Sequence, residues 1–247
     1  MIVYQFDGTF EGLITCFYHA MKNKENPAFI SGNSIQENFF RIDLEIMTDL
    51  SIYHKMERYL IDRCTFECFE TVYKAFLKDD ECLYSQLFYF ISQAKKYREQ
   101  TLFMRTDEEL CKVIKAKLCV EREAHRLTGF LRFKKLSEQL LYAEYTPTNN
   151  VTSLISGHFK DRFNQYNFII HDTKRKIYAI YDQKNCLIGK YTEDKKIGNI
   201  QAEDEYEHFF KTYHNHIAIP KRKNLKLQMN FMPKKYWNFI TEMIINE

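Results

Sequence analysis

Glu121 and His125 stand four residues apart in the segment VEREAHRLTGFLRF (120–133), which begins as a helix. Side chains at that spacing share a helix face, and the stripe Leu110, Val113, Ile114, Lys117, Glu121, Ala124, His125 turns both inward. An inward carboxylate and imidazole demand partners, because burying them unpaired is costly. Either the carboxylate orients the imidazole as a base or a ligand, or the two form a hydrogen-bonded tie between helix and sheet. Arg122 and Arg126 make a second such pair on the neighbouring face, where they either cradle a phosphate or sit in solvent.

Three further stretches carry candidate chemistry. In HFKDRF (158–163), His158 and Arg162 fall at the margin of the apolar seam Val151, Leu154, Ile155, Phe159, Phe163. Arg162 there suits bidentate phosphate contact or pairing with a buried carboxylate. His171-Asp172 ends a strand and precedes Lys174-Arg175-Lys176; the dipeptide resembles acid–base equipment, although neighbouring strand residues point to opposite faces. Finally, residues 211–247 hold seven cations (Lys211, Lys221, Arg222, Lys223, Lys226, Lys234, Lys235) against Glu242 and Glu247. Phe231, Tyr236 and Trp237 are interleaved with them, and Trp237 is the only tryptophan. Cations mixed with flat rings suit phosphate neutralisation and base stacking, or else form a solvated basic face. Walker A, GxGxxG, Gly-x-Ser-x-Gly and HExxH patterns are all absent, which removes the common nucleotide-binding, hydrolase and metalloprotease signatures.

The elements that must position these residues read as follows. Residues 2–6 form a strand, and Asp7-Gly8-Thr9 turns and caps a helix carrying Phe10, Leu13, Ile14, Phe17 and Met21. Residues 23–38 read as polar loop, 51–97 as two or three helices and 107–127 as another. A hairpin of 129–133 with 140–145 follows, then a helix over 151–163 and strands at 168–171, 177–181 and 186–191. A helix over 203–215, a basic segment at 220–226 and a last helix from Pro233 complete the chain. This predicts one α+β domain over 1–247, with a helix-rich part (1–128) packed on a mostly antiparallel sheet in a basic part (129–247), and flanking C-terminal helices.

Charge separates the halves. Residues 1–119 carry 15 Lys and Arg against 18 Asp and Glu, whereas residues 120–247 carry 21 against 15. The second half is therefore the one to meet a polyanion. With 39 aromatic residues (Phe, Tyr and Trp) among 247, most must fill cores. Seven scattered cysteines without a CxxC pair are expected to be reduced thiols. No signal-peptide start and no apolar run of about 20 residues is present, so the expected compartment is the cytoplasm.

Taken together, FDGTFEG (6–12), EREAHRLTGFLRF (121–133), HFKDRF with FIIHD (158–172) and MPKKYWNFITEM (232–243) resemble a domain-of-unknown-function family associated with DNA metabolism and DNA repair. The resemblance implies a radical S-adenosylmethionine protein as companion and, in some members, fusion to a domain of the uracil-DNA glycosylase superfamily. It marks Asp7, Glu121, His125, Arg126, Gly129, Arg132, Arg162, His171, Asp172, Tyr236 and Trp237 as motif positions. Because the chain has no cysteine triad, any iron–sulfur cluster would belong to the partner, and no cofactor is assigned to this chain. The leading expectation is a DNA-binding accessory in repair or modification. Its contacts would come from Arg126, Arg132, Arg162, Lys174, Arg175, Lys221, Arg222, Lys223, Lys234, Lys235, Tyr236 and Trp237. The alternatives are an enzyme acting on a damaged base or nucleotide through a pocket of Glu121, His125, His171 and Asp172, and a protein scaffold that touches no DNA.

Overall fold

The computed structural model describes residues 2–32, 42–190 and 225–240. They fall into two compact units, Met1–Glu121 and Arg122–Glu247. Both helices and sheets are present, in the α+β pattern expected.

In the first unit, β1 (Ile2–Phe6) is the middle strand of a three-stranded parallel sheet, flanked by β2 (Ala28–Ser31) and β3 (Ile42–Glu45). A central parallel strand is covered on both faces and reads as a nearly unbroken apolar run, which is what Ile-Val-Tyr-Gln-Phe supplies. The sheet corrects the loop expected over 23–38: Ala28–Ser31 pairs along Val3–Phe6. Helix α1 (Phe10–Asn23) lies between β1 and β2, and α2 (Leu50–Arg63), α3 (Phe66–Phe76) and α4 (Tyr84–Tyr97) come after β3. Thr9 caps α1 as expected, its hydroxyl accepting from the Gly12 N–H at 3.0 Å. Asp7 in turn accepts from the Thr9 N–H and hydroxyl and from the Thr48 hydroxyl at 2.8 Å. The aromatic residues fill this unit's core. Phe10 meets the rings of Tyr53, Phe69, Tyr73 and Phe76, and Phe17 meets Phe29 and Phe88.

Helix α5 (Glu108–Phe130) contains the boundary between the units. The second unit is built on a five-stranded sheet in the order β4 (Lys134–Ser137), β5 (Leu140–Tyr145), β6 (Asn167–Asp172), β7 (Ile177–Tyr181), β8 (Cys186–Lys190). Three of the four pairings are antiparallel; β5 and β6 run parallel, joined through α6 (Thr152–Arg162). The hairpin is therefore shifted from the expected 129–133. Gly129 and Phe130 finish α5, and the Leu131 N–H still bonds the Leu127 carbonyl at 3.0 Å, so the helix outlasts its glycine. One sheet face is buried by Phe168, Ile170, Asp172, Ala143, Tyr145, Ile177, Ala179 and Tyr181. Helix α6 contributes buried Ile155 and Phe159, and Phe133 bridges Phe159 and Phe168 with ring centroids at 5.0 and 5.9 Å. Near the C-terminus, α7 (Leu225–Phe231) is followed by a 3-10 turn over Lys234–Phe239 in place of the helix expected from Pro233. The helix expected over 203–215 lies outside the described residues.

Gly12 and Gly157 make opposite demands on a methyl group. At Gly12 a Cβ would lie 2.5 Å from Asp7 Oδ1 and 2.7 Å from Thr48 Oγ1, whereas at Gly157, inside α6, nothing lies within 4 Å. Urea denaturation is expected to show Gly12→Ala losing about 1–3 kcal/mol through overpacking. Gly157→Ala is expected to gain about 0.5–1 kcal/mol of helix propensity.

Candidate nucleic-acid interface

The inward face of α5 leads to Glu123 rather than to Glu121. Leu110, Val113, Ala116, Val120, Glu123, Ala124 and Leu127 are buried, and His125 is exposed. Glu121 is half-buried and accepts from Lys74 Nζ at 2.9 Å, with Lys117 Nζ at 4.0 Å. The inward Glu121–His125 pair is thus overturned: a stripe extrapolated through Ile114 drifts off the face that Val113 and Val120 define. His158 and Arg162 are likewise exposed rather than inward, because α6 buries Thr152, Ile155, Ser156 and Phe159 instead.

Glu123 is 5% exposed, and its carboxylate gathers donors from two distant stretches. Oε1 accepts from the Thr148 N–H at 3.0 Å, from Lys235 Nζ at 2.7 Å and from the Tyr236 hydroxyl. Oε2 accepts from the Asn149 N–H at 2.7 Å and from Asn149 Nδ2 at 2.6 Å. Burial opposes its ionisation, but the bonds from Lys235, Tyr236 and the two backbone N–H groups outweigh burial and hold the carboxyl down at about 2. Tyr236 is 2% exposed and packs on Phe130. The ring expected to stack on a base is therefore occupied in the interior, holding the turn to Glu123.

A second buried acid serves the other side of the same loop. Asp172 is fully buried and accepts from the Lys174 and Arg175 N–H groups at 3.0 and 3.1 Å and from Arg175 Nη1 at 3.2 Å. The guanidinium of Arg175 goes on to bond the carbonyls of Pro147 at 3.3 Å and Thr148 at 2.6 Å. Burial raises the Asp172 pKa, and the Arg175 backbone N–H and guanidinium work against that rise. Arg175, expected at a phosphate, is consumed in this internal fork, its side chain 9% exposed. His171 lies on the opposite face of β6. Its Nδ1 is 2.8 Å from the Tyr142 hydroxyl, and its ring lies against Tyr178 with centroids 4.2 Å apart. Burial lowers its pKa while the charges of Glu144 and Asp172 raise it. His171 and Asp172 stand back to back, so Asp172 does not orient the imidazole as the acid–base reading requires.

What remains outward is a set of cations around Thr148. Lys174 Nζ approaches the Thr148 carbonyl at 3.4 Å, and Lys235 Nζ bonds the Thr148 hydroxyl at 2.5 Å. Lys234 is exposed, with its ammonium 5.9 Å from the centre of the half-buried Trp237 ring, whose Nε1 donates to the Met232 carbonyl. Arg126 is exposed on α5. Arg132 donates to the Gly129 carbonyl at 2.7 Å, and exposed Arg162 lies over the Phe163 ring. Lys221, Arg222 and Lys223 lie outside the described residues. Over 122–190 and 225–240 the second unit carries 15 Lys and Arg against six Asp and Glu, and two of those six, Glu123 and Asp172, are buried. The described part of the first unit carries 14 against 18.

Sequence reasoning missed Glu123 and Thr148. Glu123 sits three residues after Val120 and four before Leu127, so a stripe started from Val113 would have found it. Thr148 carries no such signal. Among the described residues no group of three or more His, Cys, Asp or Glu is placed to hold a metal ion, and no helix is long and apolar enough to cross a membrane. A family model described as a domain of unknown function, DUF4130, matches residues 81–242. It contains the segments at 121–133 and 158–172 and nearly all of that at 232–243, while the segment at 6–12 lies outside it. No curated protein and no solved structure matches the chain.

A carboxylate whose folded pKa is depressed contributes stability in full above its unfolded value, here about 4.5, and loses it as pH falls through about 2. The pH-dependent part is on the order of 3 kcal/mol. The difference in unfolding free energy between the wild type and Glu123→Gln is expected to be flat above about pH 5 and to shrink steadily towards pH 2. A difference that does not change over that window would show that the ionised form carries no such stabilisation.

Proposed function

We propose, for a chain that belongs to the DUF4130 family of unknown function, that its second unit binds DNA through the phosphate backbone as an accessory in DNA repair or modification. The observation that carries this reading is the meeting of two basic stretches, 174–176 and 234–237, at Thr148, on a unit that buries two of its own acids. Phosphates are held by cations that can approach them without a competing carboxylate. Lys174 and Lys234 are exposed, and Trp237 beside Lys234 adds a half-exposed ring on which an unpaired base can stack. Arg126 and Arg162 extend the exposed positive charge of the same unit. The companion implied by the sequence resemblance, a radical S-adenosylmethionine protein, would supply the chemistry; a uracil-DNA glycosylase domain is the other implied associate.

Each phosphate contact releases condensed counterions, so the affinity must fall with salt. Fluorescence anisotropy of the full chain with labelled single- and double-stranded DNA is expected to give a log–log salt slope of several units. Lys174→Gln and Lys234→Gln should each reduce that slope by about one. Binding that is absent at about 50 mM salt, or indifferent to both substitutions, would sink the proposal.

A further inference from the structure

Residues 234–237 were all candidates for contact, yet they divide into two that are tied to Glu123 and two, Lys234 and Trp237, that lie against each other. Lys235 and Tyr236 both bond the buried Glu123 carboxylate, while Lys234 is exposed and its ammonium lies above the ring of half-buried Trp237. The division follows from the local backbone. In a 3-10 turn, residues three apart eclipse one another, so Lys234 and Trp237 share a side and the two residues between them point elsewhere. Tyr236 and Ile240 are the buried residues of this stretch. Two consecutive side chains, Lys235 and Tyr236, converge on one carboxylate and so fix how the turn is rotated.

Besides stabilising the carboxylate, the bonds from Lys235 and Tyr236 fix the geometry of the turn. We infer that Glu123 is a positioning residue for the DNA contact, holding the 234–239 turn so that Lys234 and Trp237 are presented on the unit that also offers Lys174. The inference rests on the DNA reading above and assigns Glu123 no contact with DNA. Lys235 belongs with Glu123 in this scheme: the carboxylate cancels its charge, which leaves Lys234 as the net cation of the turn. The same division holds across the loop, where Arg175 anchors and its neighbour Lys174 is offered.

As the chain's only tryptophan, Trp237 reports directly on the turn. In the wild type, DNA is expected to change its emission and to shield it from acrylamide. In Glu123→Gln the free protein should be more readily quenched, DNA affinity should fall about tenfold, and the DNA-induced emission change should largely disappear. The decisive measurement is a double-mutant cycle. Adding Lys234→Gln to Glu123→Gln should cost little further affinity, because an undocked turn no longer presents Lys234, whereas adding Lys174→Gln should cost as much as it does in the wild type. Full additivity of Lys234→Gln, or wild-type affinity in Glu123→Gln, overturns the positioning role. If Glu123→Gln loses its far-ultraviolet circular dichroism, Tyr236→Phe decides, since it removes one donor to Glu123 and keeps the ring. An affinity loss of about threefold with increased quenching supports the role, and unchanged binding rejects it. A wild-type protein that neither binds DNA nor changes emission fails at the earlier step, and that outcome is distinct from every result of the cycle.

Discussion

A carboxylate removed from water must be met by hydrogen-bond donors, and the geometry around Glu123 is organised by that requirement. The side chain cannot reach solvent from the inner face of α5, so the donors come to it: two amides and a side-chain amide from residues 148–149, and an ammonium and a hydroxyl from residues 235–236. Asp172 imposes the complementary condition. It fixes Arg175, whose guanidinium then takes the carbonyls of Pro147 and Thr148. The loop between β5 and α6 therefore has N–H groups committed to one buried acid and carbonyls committed to a cation held by another. Polar networks of this kind specify a single arrangement when every member is satisfied, and they tolerate partial satisfaction badly.

The two units solve the burial problem with different chemistry. The first fills its interior with rings at edge-to-face separations around Phe10 and Phe17, and among its described residues acids outnumber bases. The second places carboxylates inside and cations outside. The two acids it buries each take a cation, Lys235 and Arg175, and beyond those pairs its described residues still carry 13 Lys and Arg against four Asp and Glu, whereas the whole chain has a net charge of +3.

Local signals in the sequence were read well. Thr9 caps α1 because Asp7-Gly8-Thr9 precedes a regular apolar period, and β6, β7 and β8 follow from alternation between polar turns. The α+β class and the membership of a family of unknown function were legible as well. What failed depended on distant partners. Ala28–Ser31 and Ile42–Glu45 are only four residues each, too short to show a period, and become strands because β1 lies between them. A one-residue drift along α5 put Glu121 in the place of Val120 and passed over Glu123. Nothing in Lys-Arg-Lys or Lys-Lys-Tyr-Trp distinguishes the residue that turns inward from its neighbour; Asp172 and Glu123 decide that from other segments.

The ties on Glu123 differ greatly in sequence distance. Thr148 and Asn149 follow it by 25 and 26 residues, whereas Lys235 follows it by 112. In a chain made from its N-terminus, the loop amides are available long before the ammonium. The growing polypeptide thus carries an ionised group whose neutralising partner has yet to be synthesised, with only neutral donors to shelter it. Closure by residues 235 and 236 comes after the loop amides are in place, and the charge balance at position 123 is complete only once residue 235, 112 positions later, has been made.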